Sequence, residues 1–164
     1  MTELTVERAK ELLNYDPLTG IFTWRIGRRG ATKGAVAGCS DNSYCYQKIM
    51  LDRRAYRSHR LAWFITYGSW PYDNIDHING IKDDNRIANL RQATTIMNGE
   101  NRRKAQMNNA SGFLGVSWEP GCKSYRAAIW VQGKYHRLGR FLDPAEAHQA
   151  YLTAKRQLHA GCTI

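Results

Sequence analysis

An Asp-His pair, Asp76-His77, is followed by two asparagines, Asn89 and Asn98, in a segment rich in arginine. Hydrolysis of a phosphodiester with a divalent cation needs hard oxygen ligands, a base that deprotonates water, and positive charge beside the backbone. Asp76 and Asn98 offer oxygen ligands, and the imidazole of His77 exchanges a proton near neutral pH. The arginines that would neutralise the backbone are Arg86, Arg91, Arg102 and Arg103.

The elements around this pair must bring its two side chains to one place. Adjacent residues of a regular strand point to opposite faces, so Asp76 and His77 can share a site only where the strand ends and bends. The pattern of residues 58–67 predicts a helix that leads into this strand. After a loop, Leu90 to Ala93 is predicted to pair back as a strand, and Thr94 or Thr95 to cap a helix running through Asn98 towards Lys104.

The spacing of these residues resembles that of a known family. Asn89 lies thirteen positions after Asp76, and Asn98 nine positions later. With HRLAWFITYG upstream and IDHINGIKDDNRIANLR around the pair, residues 58–104 resemble the HNH nucleases of ββα-metal fold, in the phage-type branch that includes homing endonucleases. The resemblance implies double-stranded DNA as the substrate.

The resemblance also implies roles for single residues. Asp76 and Asn98 would bind one Mg²⁺ or Mn²⁺ ion per active site, with no zinc expected. His77 would be the general base, and Asn89 would orient the base or the scissile phosphate. The alternative interpretation is that Asp76 and His77 are a surface pair without a catalytic role and that Asn89 caps a strand.

The other histidines and asparagines carry weaker signals. His59 opens a helix beside Arg60, which favours a structural or phosphate-contacting role over metal binding. Three asparagines are interpreted as turn or surface residues: Asn79, Asn85 and Asn101. Three histidines lack a carboxylate or Cys at ligand spacing and are expected on the surface or in packing: His136, His148 and His159.

Composition favours a polyanionic partner. The chain has 164 residues with 43% hydrophobic and 23% charged residues, which is ordinary for a folded protein, and its net charge is +10. A balance this basic indicates nucleic acid before an anionic membrane surface, and the charge is spread along the chain.

The cysteines and the N-terminus indicate the compartment. Cys39, Cys45, Cys122 and Cys162 form no CxxC pair, which argues against a zinc ribbon and a disulfide framework and favours reduced thiols. The first residues lack the apolar core of a signal peptide, and no apolar run approaches membrane-spanning length. We therefore expect a cytoplasmic protein, in the host cytoplasm if it is phage-encoded.

Residues 1–56 are predicted to be an α/β support region. Thr5 to Asn14 has the pattern of a short helix, and Asp16 to Gly20 that of a turn before a strand at Ile21 to Trp24. A Gly- and Arg-rich loop follows at Gly27 to Gly38. Tyr44 to Asp52 and Ala55 to Tyr56 are predicted strands around an Arg53-Arg54 turn.

The C-terminal third is predicted to be a separate module after a polar linker at residues 105–112. Three segments alternate in the manner of strands: Phe113 to Trp118, Ser124 to Val131 and Tyr135 to Phe141. Asp143-Pro144 then opens an Ala-rich helix that extends to His159.

The segments SGFLGVSWEP, SYRAAIWV and YHRLGRFLDPAEAHQAYLTA resemble the plant ethylene-response-factor DNA-binding domain, whose three-stranded sheet lies in the major groove. Alternation makes Arg126 an exposed candidate for DNA contact, and the resemblance implies that Trp130, Tyr135 and Arg137 face DNA. The first strand has Ser117 and Glu119 where that family clusters arginines, so sequence specificity is expected to be weak or altered. Packing within the sheet is an equal alternative for Trp118 and Trp130.

Together these observations predict an α+β protein with a ββα-metal HNH core followed by a three-stranded antiparallel sheet packed on one helix. The predicted domains are residues 1–56, 57–106 and 111–162. The predicted function is a metal-dependent DNA endonuclease of phage or mobile-element type. One such centre would nick one strand, and a double-strand break would need a second protomer or event. The alternative is a non-catalytic DNA-binding regulator.

Overall fold

A computed structural model describes residues 3–41 and 46–164. The chain folds into two compact units, Met1–Ala93 and Thr94–Ile164. This division falls inside the predicted core of residues 57–106, and the three predicted domains stay a prediction. Tyr44 and Cys45 of one predicted strand lie outside the described residues, whereas Cys39, Cys122 and Cys162 are free thiols.

The first unit begins with a helix that is shorter than predicted. Helix α1 spans Val6–Leu12, and the Thr5 side chain caps it by accepting a hydrogen bond from the Arg8 amide. The helix ends at Leu12 because Leu13–Tyr15 forms strand β1, which pairs antiparallel with β2 at Phe22–Trp24. The intervening residues 16–20 make the predicted turn.

A second sheet and a helix follow. Strands β3 (Cys39–Asp41), β4 (Tyr46–Leu51) and β5 (Arg54–Arg57) are antiparallel in that order. The short strand β3 was not predicted. Helix α2 spans Ser58–Tyr67, as predicted, and ends at Gly68 in the left-handed conformation.

The pair of strands that carries Asp76 and His77 closes this unit. Strand β6 (Asn74–His77) pairs antiparallel with β7 (Leu90–Ala93), and a 3₁₀ turn at Ile87–Asn89 leads into β7. One apolar core joins these strands to the N-terminal region; its buried members include Phe22, Ile49, Leu61, Ile75 and Leu90.

The second unit starts with a short helix. Helix α3 spans Thr95–Glu100, and Thr94 caps it by accepting a hydrogen bond from the Met97 amide at 3.2 Å. Three antiparallel strands follow in the order β10-β9-β8: β8 (Val116–Glu119), β9 (Ser124–Val131) and β10 (Lys134–Phe141). Helix α4 spans Pro144–Leu158, with Asp143 as its cap.

The core of this unit lies between the sheet and α4. Its buried apolar residues are Val116, Ala127, Ile129, Ala147, Tyr151 and Ala154. Strand β8 begins later than predicted because Gly115 has a φ of +78° and passes against the Tyr151 ring, where a Cβ atom would lie 2.0 Å from a ring carbon.

The predicted fold class is confirmed: the protein is α+β, with a three-stranded antiparallel sheet packed on one helix. In the described part of the chain, no helix has the length and apolar character needed to cross a membrane.

Candidate active site

Asp76 and His77 lie at the end of β6, where the sequence required a bend. His77 is the last residue of the strand, and its carbonyl accepts a hydrogen bond from the Gly80 amide at 2.8 Å, which closes a turn. The two side chains are 6% and 3% exposed. A surface pair is therefore excluded for these two residues.

Arg91 holds the Asp76 carboxylate. The two residues are partners across the β6-β7 ladder, and the Arg91 Nε and Nη2 atoms donate to Asp76 Oδ2 at 3.0 and 2.9 Å. The ion pair compensates a carboxylate that burial would otherwise make costly. Arg91, which was predicted to contact DNA, therefore forms an ion pair with Asp76, the predicted metal ligand.

Asn85 contacts the imidazole of His77. The distance between His77 Nε2 and Asn85 Oδ1 is 3.3 Å, and Asn85 is 2% exposed. A carboxamide oxygen only accepts, so this contact corresponds to the tautomer with a proton on Nε2 and a lone pair on Nδ1. Burial lowers the pKa of His77, and the bond to Asn85 opposes this shift. A lowered pKa favours the neutral form of the ring.

The interpretation of Asn85 as a turn or surface residue was wrong. Its sequence context, DDNR, is equally typical of a loop, and only the tertiary structure shows that the loop folds back over His77. Asn101 is buried as well, in the second unit. Asparagine is common both in turns and in buried hydrogen-bond networks, so its type alone does not separate the two.

Asn89 fixes the loop that follows His77. Its Oδ1 atom accepts from the Asn79 amide at 2.9 Å, and its Nδ2 atom donates to the Asp84 carbonyl at 2.8 Å. Its own carbonyl accepts from the Ile78 amide at 2.9 Å. These bonds constrain the backbone directly after His77.

Asp84 and Arg86 form a second fixed pair in this loop. The Arg86 Nε and Nη2 atoms donate to the two Asp84 oxygens at 2.7 and 2.6 Å, and Asn79 Nδ2 also donates to Asp84 at 2.6 Å. The Arg86 guanidinium lowers the pKa of Asp84 to about 2. Arg86 itself is exposed, at the surface where the sequence predicted a DNA contact.

Residues of the N-terminal hairpin support the same loop. The Tyr15 hydroxyl donates to the Asn85 carbonyl at 2.8 Å, and the Ile87 amide donates to the Pro17 carbonyl at 3.2 Å. Gly20, at a φ of +75°, packs so closely that a Cβ atom would lie 2.4 Å from the Arg86 nitrogen. Part of the predicted support region thus holds the residue that contacts His77.

His59 also packs against His77. The two rings are 5.2 Å apart in an edge arrangement, and the Tyr46 ring lies 5.1 Å from His59. Burial lowers the pKa of His59 to about 3, and its buried Nδ1 atom has no hydrogen-bond partner among the residues described. Two cations approach the Tyr46 ring: Arg57 at 4.8 Å and Lys82 at 5.0 Å. His59 therefore packs against His77, a position that its sequence context did not indicate.

The remaining residues predicted for this site lie in the second unit. Asn98 is exposed on α3, and Arg102 and Arg103 follow the end of that helix and are exposed. Arg103 Nη2 donates to the Thr163 hydroxyl at 2.6 Å.

One face of the β8-β10 sheet carries the four residues of this sheet that are predicted to contact DNA. Trp130 pairs with Tyr135 across β9 and β10, and Arg137 pairs with Ala128, so their side chains share a face with Arg126. Trp130 is 63% exposed, and its ring lies 5.3 Å from that of Tyr135. The opposite face packs on α4, so these side chains lie outside the core.

The buried carboxylate of Asp76 is a hard oxygen donor of the kind that divalent cations take. Among the described residues, no group of three His, Cys, Asp or Glu side chains lies close enough to hold a metal ion. Mg²⁺ takes carboxylate and amide oxygens, keeps several waters and binds substrate phosphates, so a site with few protein ligands suits it.

Comparison with known proteins identifies the segment around this site. Residues 56–99 match the HNH endonuclease family. HNH nucleases generally use divalent metal ions, and an HNH segment implies a DNA substrate. No solved structure matches the chain. The chain is 32% identical to Protein 3.8 of Escherichia phage T7 over 107 residues, which cover 65% of this chain and 87% of that protein. The chain therefore belongs to the family of phage T7 Protein 3.8 and carries an HNH endonuclease segment at residues 56–99.

Proposed function

We propose that the protein is a metal-dependent DNA endonuclease of phage or mobile-element type that nicks one strand per active centre. The observation that carries this proposal is the buried Asp76-His77 pair, with Arg91 on the carboxylate and Asn85 on the imidazole. It lies inside the segment that matches the HNH endonucleases.

His77 acts as the general base. Its neutral imidazole takes a proton from water while the water oxygen forms a bond to phosphorus. The bond from phosphorus to the leaving sugar oxygen breaks, and that oxygen takes up a proton from solvent. A positioned base contributes about 10²- to 10⁴-fold to such a rate.

Asp76 and Asn98 are the proposed protein ligands of Mg²⁺ or Mn²⁺. Their assignment follows from residue type and spacing in the sequence. When bound, the cation supplies positive charge to the phosphate in the transition state. Arg91 holds the Asp76 carboxylate, which orients the oxygens of the ligand.

The proposed DNA contacts come from arginines and from the β8-β10 sheet. Arg86, Arg102 and Arg103 are exposed and are proposed to neutralise backbone phosphates, as is Arg91 beside the carboxylate. The outer face of β8 to β10 is proposed to dock on the duplex in the manner of an ethylene-response-factor domain, through Arg126, Trp130, Tyr135 and Arg137. Exposed paired aromatics beside arginines are typical of nucleic-acid surfaces.

That exposed face also supports the second candidate, a DNA-binding regulator without catalysis. The nuclease and the regulator differ in whether they convert supercoiled plasmid to relaxed circles. Purified protein is incubated with supercoiled plasmid in Mg²⁺, in Mn²⁺ and in EDTA. The nuclease produces relaxed circles with either cation and none in EDTA. A regulator shifts the plasmid on a native gel and leaves every phosphodiester bond intact.

A further inference from the structure

Helix α3 has little to hold it in place by itself. It spans six residues, Thr95–Glu100, and none of them is buried. Isolated helices shorter than about 12–15 residues are marginal in water, so the position of α3 depends on contacts from elsewhere. The position of the proposed cation ligand Asn98 therefore depends on the same contacts.

The C-terminal segment, residues 159–164, supplies such contacts, and we call it the tail. The Gly161 amide donates to Glu100 Oε2 at 2.9 Å, in the last turn of α3. The Thr163 hydroxyl donates to Asn101 Oδ1 at the helix end. Arg103 Nη2 donates to both the Thr163 hydroxyl and its carbonyl, at 2.6 and 3.0 Å. The tail therefore satisfies polar groups at the end of the helix.

Gly161 also packs directly on the helix backbone. A Cβ atom at this position would lie 2.3 Å from the Met97 carbonyl oxygen and 3.0 Å from Glu100 Cβ. A backbone oxygen cannot move aside alone, so any side chain here would displace the tail or α3. Glycine is thus required for this contact.

The tail is in turn fixed to the sheet and to α4. The distance between His159 Nε2 and the Trp130 carbonyl is 2.8 Å, so the ring donates to the strand that carries an exposed tryptophan. Lys155 on α4 is buried, and its ammonium donates to the Arg102 carbonyl just after α3. Contacts therefore run without a break from the β9 strand through the tail to α3.

We propose that the tail is a positioning element, which fixes α3 relative to the β8-β10 sheet. Gly161 and Thr163 are its positioning residues. The consequence for the reaction rests on the proposed function: docking of the sheet on DNA would place Asn98, because sheet, tail and helix behave as one body. Loosening the tail at Gly161 would weaken cation binding and leave DNA affinity unchanged.

Two matched pairs of variants test this proposal. Gly161→Ala adds one methyl group against the Met97 carbonyl, whereas Gly121→Ala adds the same group where no atom lies within 4 Å. Thr163→Val keeps the side-chain shape and removes the hydroxyl, and Thr163→Ser restores the hydroxyl. Circular dichroism at matched temperature checks that each protein is folded.

The expected result is a change in the cation requirement. For Gly161→Ala and Thr163→Val, the Mg²⁺ concentration that half-saturates nicking should rise about 10-fold, the size found when groups that orient metal ligands are removed. The DNA dissociation constant of Gly161→Ala should stay within about 2-fold, since this change removes no side-chain bond of a proposed phosphate contact. Gly121→Ala and Thr163→Ser should match the wild type.

Hydrogen exchange at the amides of Met97 to Asn101 gives a readout that needs no catalysis. Exchange should accelerate in Gly161→Ala and not in Gly121→Ala. Unchanged exchange in the folded Gly161→Ala protein overturns the proposal, as does faster exchange with an unchanged Mg²⁺ requirement. If the wild type cuts no DNA, the proposed function has failed. The tail proposal then stands on faster exchange in Gly161→Ala together with weaker Mn²⁺ binding by calorimetry on the DNA complex, and falls without both.

Discussion

The loop around His77 and the outer face of the β8-β10 sheet are both rich in polar residues, but the polar groups of the loop are buried and those of the sheet are exposed. In the loop, Asn85 and Asn89 are buried and bonded to other groups of the same loop. On the sheet, Trp130, Tyr135 and Arg137 are exposed. Buried networks fix geometry, as a chemical step requires, whereas exposed groups can meet a partner.

This difference predicts a separation of effects. Changes in the buried loop should lower the rate at saturating DNA and leave DNA affinity unchanged. Changes on the exposed face should weaken affinity and its salt dependence and leave that rate unchanged.

The largest effect apart from loss of the proposed base is expected from Asp76→Ala, which removes the proposed anionic ligand of the cation. Nicking at saturating DNA should fall by about 10²-fold or more, because Asp76 is the charged member of the proposed ligand pair. Single-turnover nicking over a Mn²⁺ series measures the loss. Asp83→Ala, an exposed carboxylate of the same loop, is the control. Equal activity of the two variants would remove Asp76 from the cation site.

A smaller loss of rate, about 10-fold, is expected for Asn85→Leu, which removes the hydrogen-bond partner of His77 and keeps a similar volume. The same bond raises the pKa of His77 against the effect of burial. Without it, the pKa falls further below its ordinary value, so the acidic limb of kcat/KM should move to lower pH. A pH series of nicking compares the variant with Asn14→Leu, an exposed position. An acidic limb that moves to higher pH would contradict the assigned contact.

The smallest change in rate is expected for Trp130→Ala and Arg137→Ala. Loss of a phosphate contact at Arg137 should flatten the plot of log K against log salt by about 0.9. Fluorescence anisotropy across a salt series measures the slope, with Lys10→Ala on α1 as a control for charge. A parental slope and affinity in both sheet variants would show that this face does not bind DNA.

Much of the secondary structure could be predicted from the sequence. Hydrophobic periodicity located α2 and β9, and the predicted strand pairing and the Asp143-Pro144 helix start located β7 and α4. The Asp76-His77 pair was correctly expected at a strand end. The misses have local causes. Helix α1 ends before Leu13 because Leu13 pairs with Trp24 in a strand. Strand β3 has too few residues to show an alternation of polar and apolar side chains.

The supports of the site could not be predicted, because they depend on residues far apart in sequence. Tyr15 reaches Asn85, and Gly161 reaches Met97, through contacts that no local pattern encodes. The arrangement of His59 against His77 also follows from packing of α2 on the sheet rather than from spacing.

The most direct test of the central claim is single-turnover cleavage of a plasmid by the wild type and by His77→Ala, at saturating DNA and Mg²⁺. Loss of the base should lower the cleavage rate by about 10²- to 10⁴-fold, while the DNA dissociation constant stays close to that of the wild type. A His77→Ala protein that cuts within a few-fold of the wild-type rate would contradict the assignment of His77 as the base.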